Sequence, residues 1–320
     1  MDWDQLARQL ITALRGKRSQ KRLSERLGYA SNVIYRWETG RSYPAAEDFF
    51  RLVGLTGSPV LARLKQFRPD WALDVKLGER EGAMQLLELL REGMPMTELV
   101  QKTGRSRFII RRWLDGTTAI RLPELLHWIE VCSLRLLDFV ACLIAPNKLP
   151  CISTSYRSLQ ASRKAAYEMP WSHAVLRALE LSDYAALKCH RKGWIAQRIG
   201  ISLQIEEECL QVLSDAEQIA WDGKHYAVQE VRTVVTQQAR DRTRATKAFW
   251  FDVNRERQRS GAPGTYGYNL CTVSRADHER IEELYRRFFH EMQQIVAGST
   301  PGEEVVLVTG QIVALRSTTR

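Results

Sequence analysis

The chain has 320 residues, 44% of them hydrophobic, and a formal net charge of +10. Its length suits two or three domains with real cores, and no apolar run approaches the ~20 residues that span a bilayer. The charge favours a polyanionic partner, and the acidic start Met1-Asp2-Trp3-Asp4 is unlike a secretory signal, so a cytoplasmic protein is expected.

Leu6, Leu10, Ile11 and Leu14 recur at helical spacing and predict an amphipathic helix over 3–15, ended by Gly16. Ser19 is placed to cap a second helix, Gln20 to Leu27, with Leu23 and Leu27 facing inward. Gly28 allows a tight turn, Ser31 can cap a third helix, and Val33, Ile34 and Trp37 form its buried stripe. Gly40 ends that helix, and Pro44 stands where the next can start.

This pattern occurs twice. Gly28, Val33, Ile34, Arg36, Trp37 and Gly40 return as Gly104, Ile109, Ile110, Arg112, Trp113 and Gly116, without a gap and at a constant offset of 76 positions. The second copy predicts helices at Met84–Arg91, Thr97–Thr103, Ser106–Leu114, Leu122–Cys132 and Leu134–Ile144. The connector, residues 68–83, has no Gly/Ser run, which predicts a fixed relation between the copies.

The spacing is that of a helix-turn-helix, which places a helix in the DNA major groove. On the outer side of the third helix stand Ser31, Asn32, Tyr35 and Arg36, hydrogen-bonding side chains suited to base edges and phosphates. Arg36 suits a two-point bond to guanine and Asn32 to adenine. Gln20, at a helix N-terminus, and Arg41 are phosphate candidates. A solvated face of a helical bundle has the same composition. The pattern Gln20-x2-Leu23-x3-Leu27-Gly28-x4-Val33-Ile34-x-Arg36-Trp37-Glu38-x-Gly40-x3-Pro44 resembles the Xre or lambda-repressor class of helix-turn-helix domains over residues 19–65. The resemblance implies DNA contacts from Gln20 and the exposed third-helix positions, and structural roles for Trp37 and Glu38.

In the second copy the outer face is Arg107, Phe108, Arg111 and Arg112, and Met96 replaces the glutamine. That copy either binds phosphates and widens the footprint or serves packing; Phe108 also suits a protein contact.

Pro146, Pro150 and Pro170 punctuate a Ser/Thr-rich stretch, 146–170, that reads as a domain boundary. Beyond it, helices at Trp171–Leu181 and Trp194–Gly200, a Ser202-capped helix to Ala216 and a hairpin at 219–228 with an Asp-Gly turn predict a winged-helix shape. Glu206, Glu207 and Glu208 on its would-be reading helix repel phosphates, so a structural or protein-contact role is expected.

An Arg-rich helix is expected over Gln229–Arg259, with Arg240, Arg242 and Arg244 on a solvated face or in supplementary phosphate contact. Tyr266–Val273 and Glu304–Leu315 read as strands flanking a helix from Ser274 to about Ala297. Two strands are too few for a stable sheet, and their edges invite pairing with a second copy or with the preceding domain. Residues 150–316 resemble a little-characterised bacterial regulator family that joins an Xre-like domain to a C-terminal domain of unknown function.

The cysteines at 132, 142, 151, 189, 209 and 271 have no zinc spacing, and most have apolar neighbours, as expected of small buried hydrophobes. No phosphate loop or nucleophile elbow occurs, and His290-Glu291 lacks the second histidine of a zinc helix, so no enzyme, cofactor or metal is expected.

The expected fold is mainly α: two tandem five-helix lambda-repressor-like modules (1–70 and 84–146), a winged-helix-like module (171–230) and a small α+β region (231–320). The expected function is a homodimeric, sequence-specific regulator on double-stranded DNA. Its C-terminal half dimerises and senses a peptide, a small molecule or a protein. A protein-interaction adaptor with packing-only modules is the alternative.

Overall fold

The computed structural model of the chain describes residues 1–57, 59–67, 76–229 and 240–315. It is mainly helical, with one two-stranded antiparallel sheet among the described residues. Two compact units result, Met1–Tyr156 and Arg157–Arg320.

The first unit holds both copies of the repeat. Helices α1 (Trp3–Arg15), α2 (Gln20–Arg26), α3 (Val33–Glu38), α4 (Ala46–Leu55) and α5 (Val60–Phe67) form the first set. Helices α6 (Arg80–Arg91), α7 (Met96–Thr103), α8 (Arg107–Leu114), α9 (Leu122–Ser133) and α10 (Leu136–Leu143) form the second. Asp2 caps α1 by accepting from the Gln5 N–H at 2.8 Å. The turns before α3 and α8 need positive φ, 90° at Gly28 and 64° at Gly104, which glycine adopts without a Cβ clash.

Helix α6 begins four residues before the expected Met84, because Gly82 sits inside it. A Cβ there would collide with the Lys76 carbonyl, so a residue that reads as a breaker lets the preceding chain pass close by. Leu134, expected to open α10, is instead the left-handed end of α9, with φ 54°.

The two sets do not make separate cores. Helix α1 buries Leu6, Leu10, Ile11 and Leu14, and it packs on α9 of the other set. Reciprocally, α6 packs on α4, while α4 meets α9 and α5 meets α10. Each buried aliphatic side chain contributes about 1.5–3 kcal/mol, so neither set keeps its stability without the other. Phe67 and Phe139 meet edge to face at 5.7 Å, and Trp3 stacks on His127 at 4.9 Å. At the centre, Ala45 and Arg121 oppose each other in an antiparallel bridge. The Ala46 N–H donates to the Ile120 carbonyl (2.9 Å), and the Leu122 N–H donates to the Pro44 carbonyl (3.0 Å). The relation between the copies expected from the stiff connector is thus set by this shared core; connector residues 68–75 themselves lie outside the described residues.

After a 3-10 turn at Pro146–Lys148 comes α11 (Pro150–Glu168), so the Pro- and Ser-rich stretch is largely helical. The second unit continues with α12 (Trp171–Leu179), α13 (Ser182–Ala185), α14 (Trp194–Ile199), α15 (Leu203–Asp215), β1 (Ile219–Trp221) and β2 (Tyr226–Val228). Its core joins Val175, Leu176, Leu179, Tyr184, Ile195, Leu210, Leu213 and Ile219. The hairpin turns about Gly223-Lys224, one residue later than expected. Asp222 and His225 pair across it, and the Asp222 side chain accepts from the N–H groups of Lys224 and His225.

Helices α16 (Arg240–Arg259) and α17 (Arg275–Gly298) complete the unit. The start of the helix expected over 229–259 lies outside the described residues. Neither expected C-terminal strand forms: 266–273 and 304–315 run without ladder pairing. The second segment is tied to helices instead. Arg198 donates to the Glu303 carbonyl (2.7 Å), Asn254 to the Thr309 hydroxyl (2.8 Å) and Tyr285 to the Gly310 carbonyl (2.6 Å). The α+β expectation for 231–320 is therefore corrected to helices with extended segments. No described helix is long and apolar enough to cross a membrane.

Cysteine pairs fit an antiparallel bridge whose residues face each other without exchanging hydrogen bonds. The double substitution Ala45→Cys/Arg121→Cys should therefore form a disulfide on mild oxidation. Non-reducing peptide mapping should recover the 45–121 linkage and no other new one.

Candidate nucleic-acid interface

Helix α3 sits with Val33, Ile34 and Trp37 buried, which turns Ser31, Asn32, Tyr35 and Arg36 outward, all exposed. The Arg41 guanidinium, also exposed, lies over the Tyr35 ring at 5.5 Å. Among the described residues, four of these five make no side-chain hydrogen bond or ion pair. Asn32 is the exception: it, rather than Ser31, caps α3. Its Oδ1 accepts from the Tyr35 N–H (3.2 Å) and from the Ser24 hydroxyl (3.3 Å). Only its amide nitrogen remains for an outside partner, so the two-point adenine contact is lost in this arrangement.

Gln20 is half-buried, and its amide donates to Glu38 Oε2. Arg15 Nε reaches Glu38 Oε1 at 2.5 Å, so one carboxylate ties the ends of α1, α2 and α3 together. Ser24 reinforces the joint by accepting from the Ile34 N–H at 3.2 Å. A third tie runs to α4. The Tyr29 hydroxyl donates to Asp48 (2.6 Å), and Arg51 bonds both Asp48 (3.2 Å) and the Leu27 carbonyl (2.6 Å). Burial, helped by the Asp48 carboxylate, pushes the Tyr29 phenol up to about 12. Nothing in the linear spacing of these residues signals the Tyr29–Asp48–Arg51 tie.

The second copy keeps the scaffold and exchanges the chemistry. Ser106 caps α8 through the Ile109 N–H (3.3 Å), and Ile110 and Trp113 are buried. Where the first copy has Gln20 and Glu38, the second has Met96 and Leu114; where it has Ser24 and Asn32, the second has Val100 and Phe108. Phe108 is 68% exposed and Ile109 39%. Arg107, Arg111 and Arg112 are exposed, the last with its guanidinium 5.6 Å from the Phe108 ring. Among the described residues, Arg36, Arg107 and Arg111 form no ion pair. Such cations are suited to phosphate oxygens.

In the second unit Glu206 departs from its expected place. It is fully buried, and its carboxylate accepts from the N–H groups of Gly193 (2.8 Å) and Ala196 (2.5 Å). Helix α14 starts at a glycine with no side chain to cap it, so Glu206 supplies the missing acceptor from α15. Only Glu207, paired with Lys192, and Glu208 keep the negative outer face. Arg257 from α16 closes the other end of α14 by donating to the Ile199 carbonyl at 2.7 Å. The cysteines divide: Cys132 and Cys209 are buried with thiols pushed up to about 12 by burial, whereas Cys189 and Cys271 are exposed, against expectation.

Residues 153–315, half of the chain, match the family described as "Domain of unknown function (DUF4423)". The chain belongs to that family. No curated protein matches it, and no solved structure does.

Removing the shared carboxylate leaves the Arg15 Nε and the Gln20 amide without this acceptor, while Arg15 Nη1 keeps the Gly16 and Arg18 carbonyls. Glu38→Ala should cost about 1–3 kcal/mol of stability, read from urea unfolding of the full chain. Glu38→Ala should also reduce the dependence of that stability on salt, whereas Leu114→Ala, at the matching position, should leave it unchanged, since no ion pair stands there.

Proposed function

We propose that the protein is a non-enzymatic, sequence-specific DNA-binding transcriptional regulator of the cytoplasm. Each five-helix set is read as an Xre/lambda-repressor-like module and α12–β2 as a winged-helix-like one. The observation that carries the reading is the outer face of α3. Tyr35 and Arg36 stand exposed on a helix whose opposite side is locked into the core, with Ser31 and Arg41 exposed just beyond its two ends. That combination of rigid placement and free donors is what base reading requires.

The two copies differ in role. The first reads bases, through Arg36 above all, and Gln20, at the N-terminus of α2, offers a phosphate the amide N–H that its bond to Glu38 leaves over. In the second, Arg107, Arg111 and Arg112 bind phosphates. An adaptor that binds protein instead is the competing reading, and the exposure of Phe108 and Ile109 favours it. Retention of random duplex DNA at low salt in a mobility-shift assay separates the two; no retention would sink the regulator reading. Arg36→Ala should lose about 1–3 kcal/mol and relax specificity. Arg111→Ala should weaken binding to all sequences alike and reduce the log–log salt slope by about 0.9.

The second unit is read as the dimerising and sensing half. Along α17, Leu284, Phe288 and Ile295 lie on one exposed, heptad-like stripe, and Leu270, Val306 and Val313 are exposed on the unpaired extended segments. Apolar exposure on this scale marks an interaction surface. Light scattering at micromolar concentration should give twice the chain mass, and Phe288→Glu should halve it. A monomer in the unsubstituted chain would refute the dimer.

A further inference from the structure

The copies are related by a rotation, whereas a tandem repeat in sequence suggests a translation. Three observations in the first unit agree. The bridge joins Ala45 to Arg121, which are the same position in the two copies. Its two hydrogen bonds are exchanged copies of each other: Ala46 to Ile120 becomes Leu122 to Pro44 when 76 is added to one number and subtracted from the other. The helix packing is exchanged in the same way, since α1 on α9 is matched by α6 on α4. An antiparallel pair of equivalent residues has a local two-fold axis passing between them. A translated copy would not return both bonds.

We infer that one chain carries an approximate internal two-fold axis and engages DNA as a dimeric regulator does, with α3 and α8 on two segments of one site in inverted orientation. The inference rests on the DNA-binding reading above. A two-fold rotation preserves height along its axis, so the exposed faces of α3 and α8 stand at the same level. A duplex lying across the axis meets both or neither. The protein symmetry then sets the symmetry of the site, as in two-chain regulators. Here the two faces carry different side chains, so the site is inverted in geometry and unequal in content. The Arg36 side recognises sequence, and the Arg111 side holds backbone.

The test maps each helix on DNA selected from a random duplex library by the full chain. In a Cys189→Ser/Cys271→Ser background, an iron-chelate cleavage reagent is attached at Ser31→Cys or, separately, at the equivalent Arg107→Cys. The expected result is two cleavage clusters in different segments of one duplex, mirror-related about the site centre and exchanged between strands. Clusters displaced in the same sense would show a translational arrangement and overturn the inference. A second chain of the proposed dimer would add a second such pair of segments, so the comparison is made within each pair: Ser31→Cys and Arg107→Cys cutting the same segment of a pair would also overturn the inference. Failure of the chain to retain any duplex from the library would instead remove the DNA-binding reading on which the inference stands.

Discussion

Neither five-helix set in the first unit can cover its own apolar surface. Helix α1 presents Leu6, Leu10, Ile11 and Leu14 on one stripe, and it packs both on α3 of its own set and on α9 of the other. The exchange is mutual, so the hydrophobic requirement that folds one copy also fixes the other against it. The Ala45–Arg121 bridge is where this exchange closes, because two short segments lie antiparallel with both hydrogen bonds made. The placement of α3 and α8 follows from it, since each leans on a helix whose position depends on the opposite copy.

That dependence explains what could and could not be read from the chain. Helix existence was legible because apolar spacing is a local property, as at α1, α7 and α12. The scaffold of the repeat was legible too: Gly28 and Gly104 mark turns that need positive φ, and Trp37 and Trp113 mark buried faces. The axis was not legible. A constant offset says which residues correspond, but translation and rotation give the same offset. The reciprocal pair of bonds, Ala46 to Ile120 and Leu122 to Pro44, with the exchanged helix packing, distinguishes them.

The C-terminal expectations failed for a related reason. Val305, Val306, Leu307 and Val308 have strand propensity, but a strand exists only when a second backbone pairs with it. The described residues offer no such ladder, and Tyr285 and Asn254 satisfy that segment from helices. The error over Glu206 runs the other way. Its neighbours on α15 are outward, and helical order alone places it with them. It turns inward because Gly193 leaves an uncapped helix N-terminus close by, where a carboxylate is stabilised by two N–H donors.

The exchange of chemistry between the copies concerns how a joint is built. The N-terminus of the turn's first helix must be held to the C-terminus of its second. In the first copy Gln20 and Glu38 do this with a hydrogen bond, backed by Arg15. In the second, Met96 and Leu114 occupy the same two positions. Either pair can hold the joint, because contact area and a satisfied polar bond are alternative ways of fixing two helices. They differ in what is left at the surface. The polar joint keeps the half-buried Gln20 amide near the outer face, held in direction by a Glu38 carboxylate that is only 9% exposed. The apolar joint leaves only shape there, beside three exposed arginines with no amide or carboxylate next to them at the joint. A face with fixed, directional groups can discriminate between partners of equal charge; a face of exposed cations and one aromatic ring chiefly attracts. The internal axis gives both faces the same framework, so the difference in chemistry between the copies is what makes the two ends of the unit unequal.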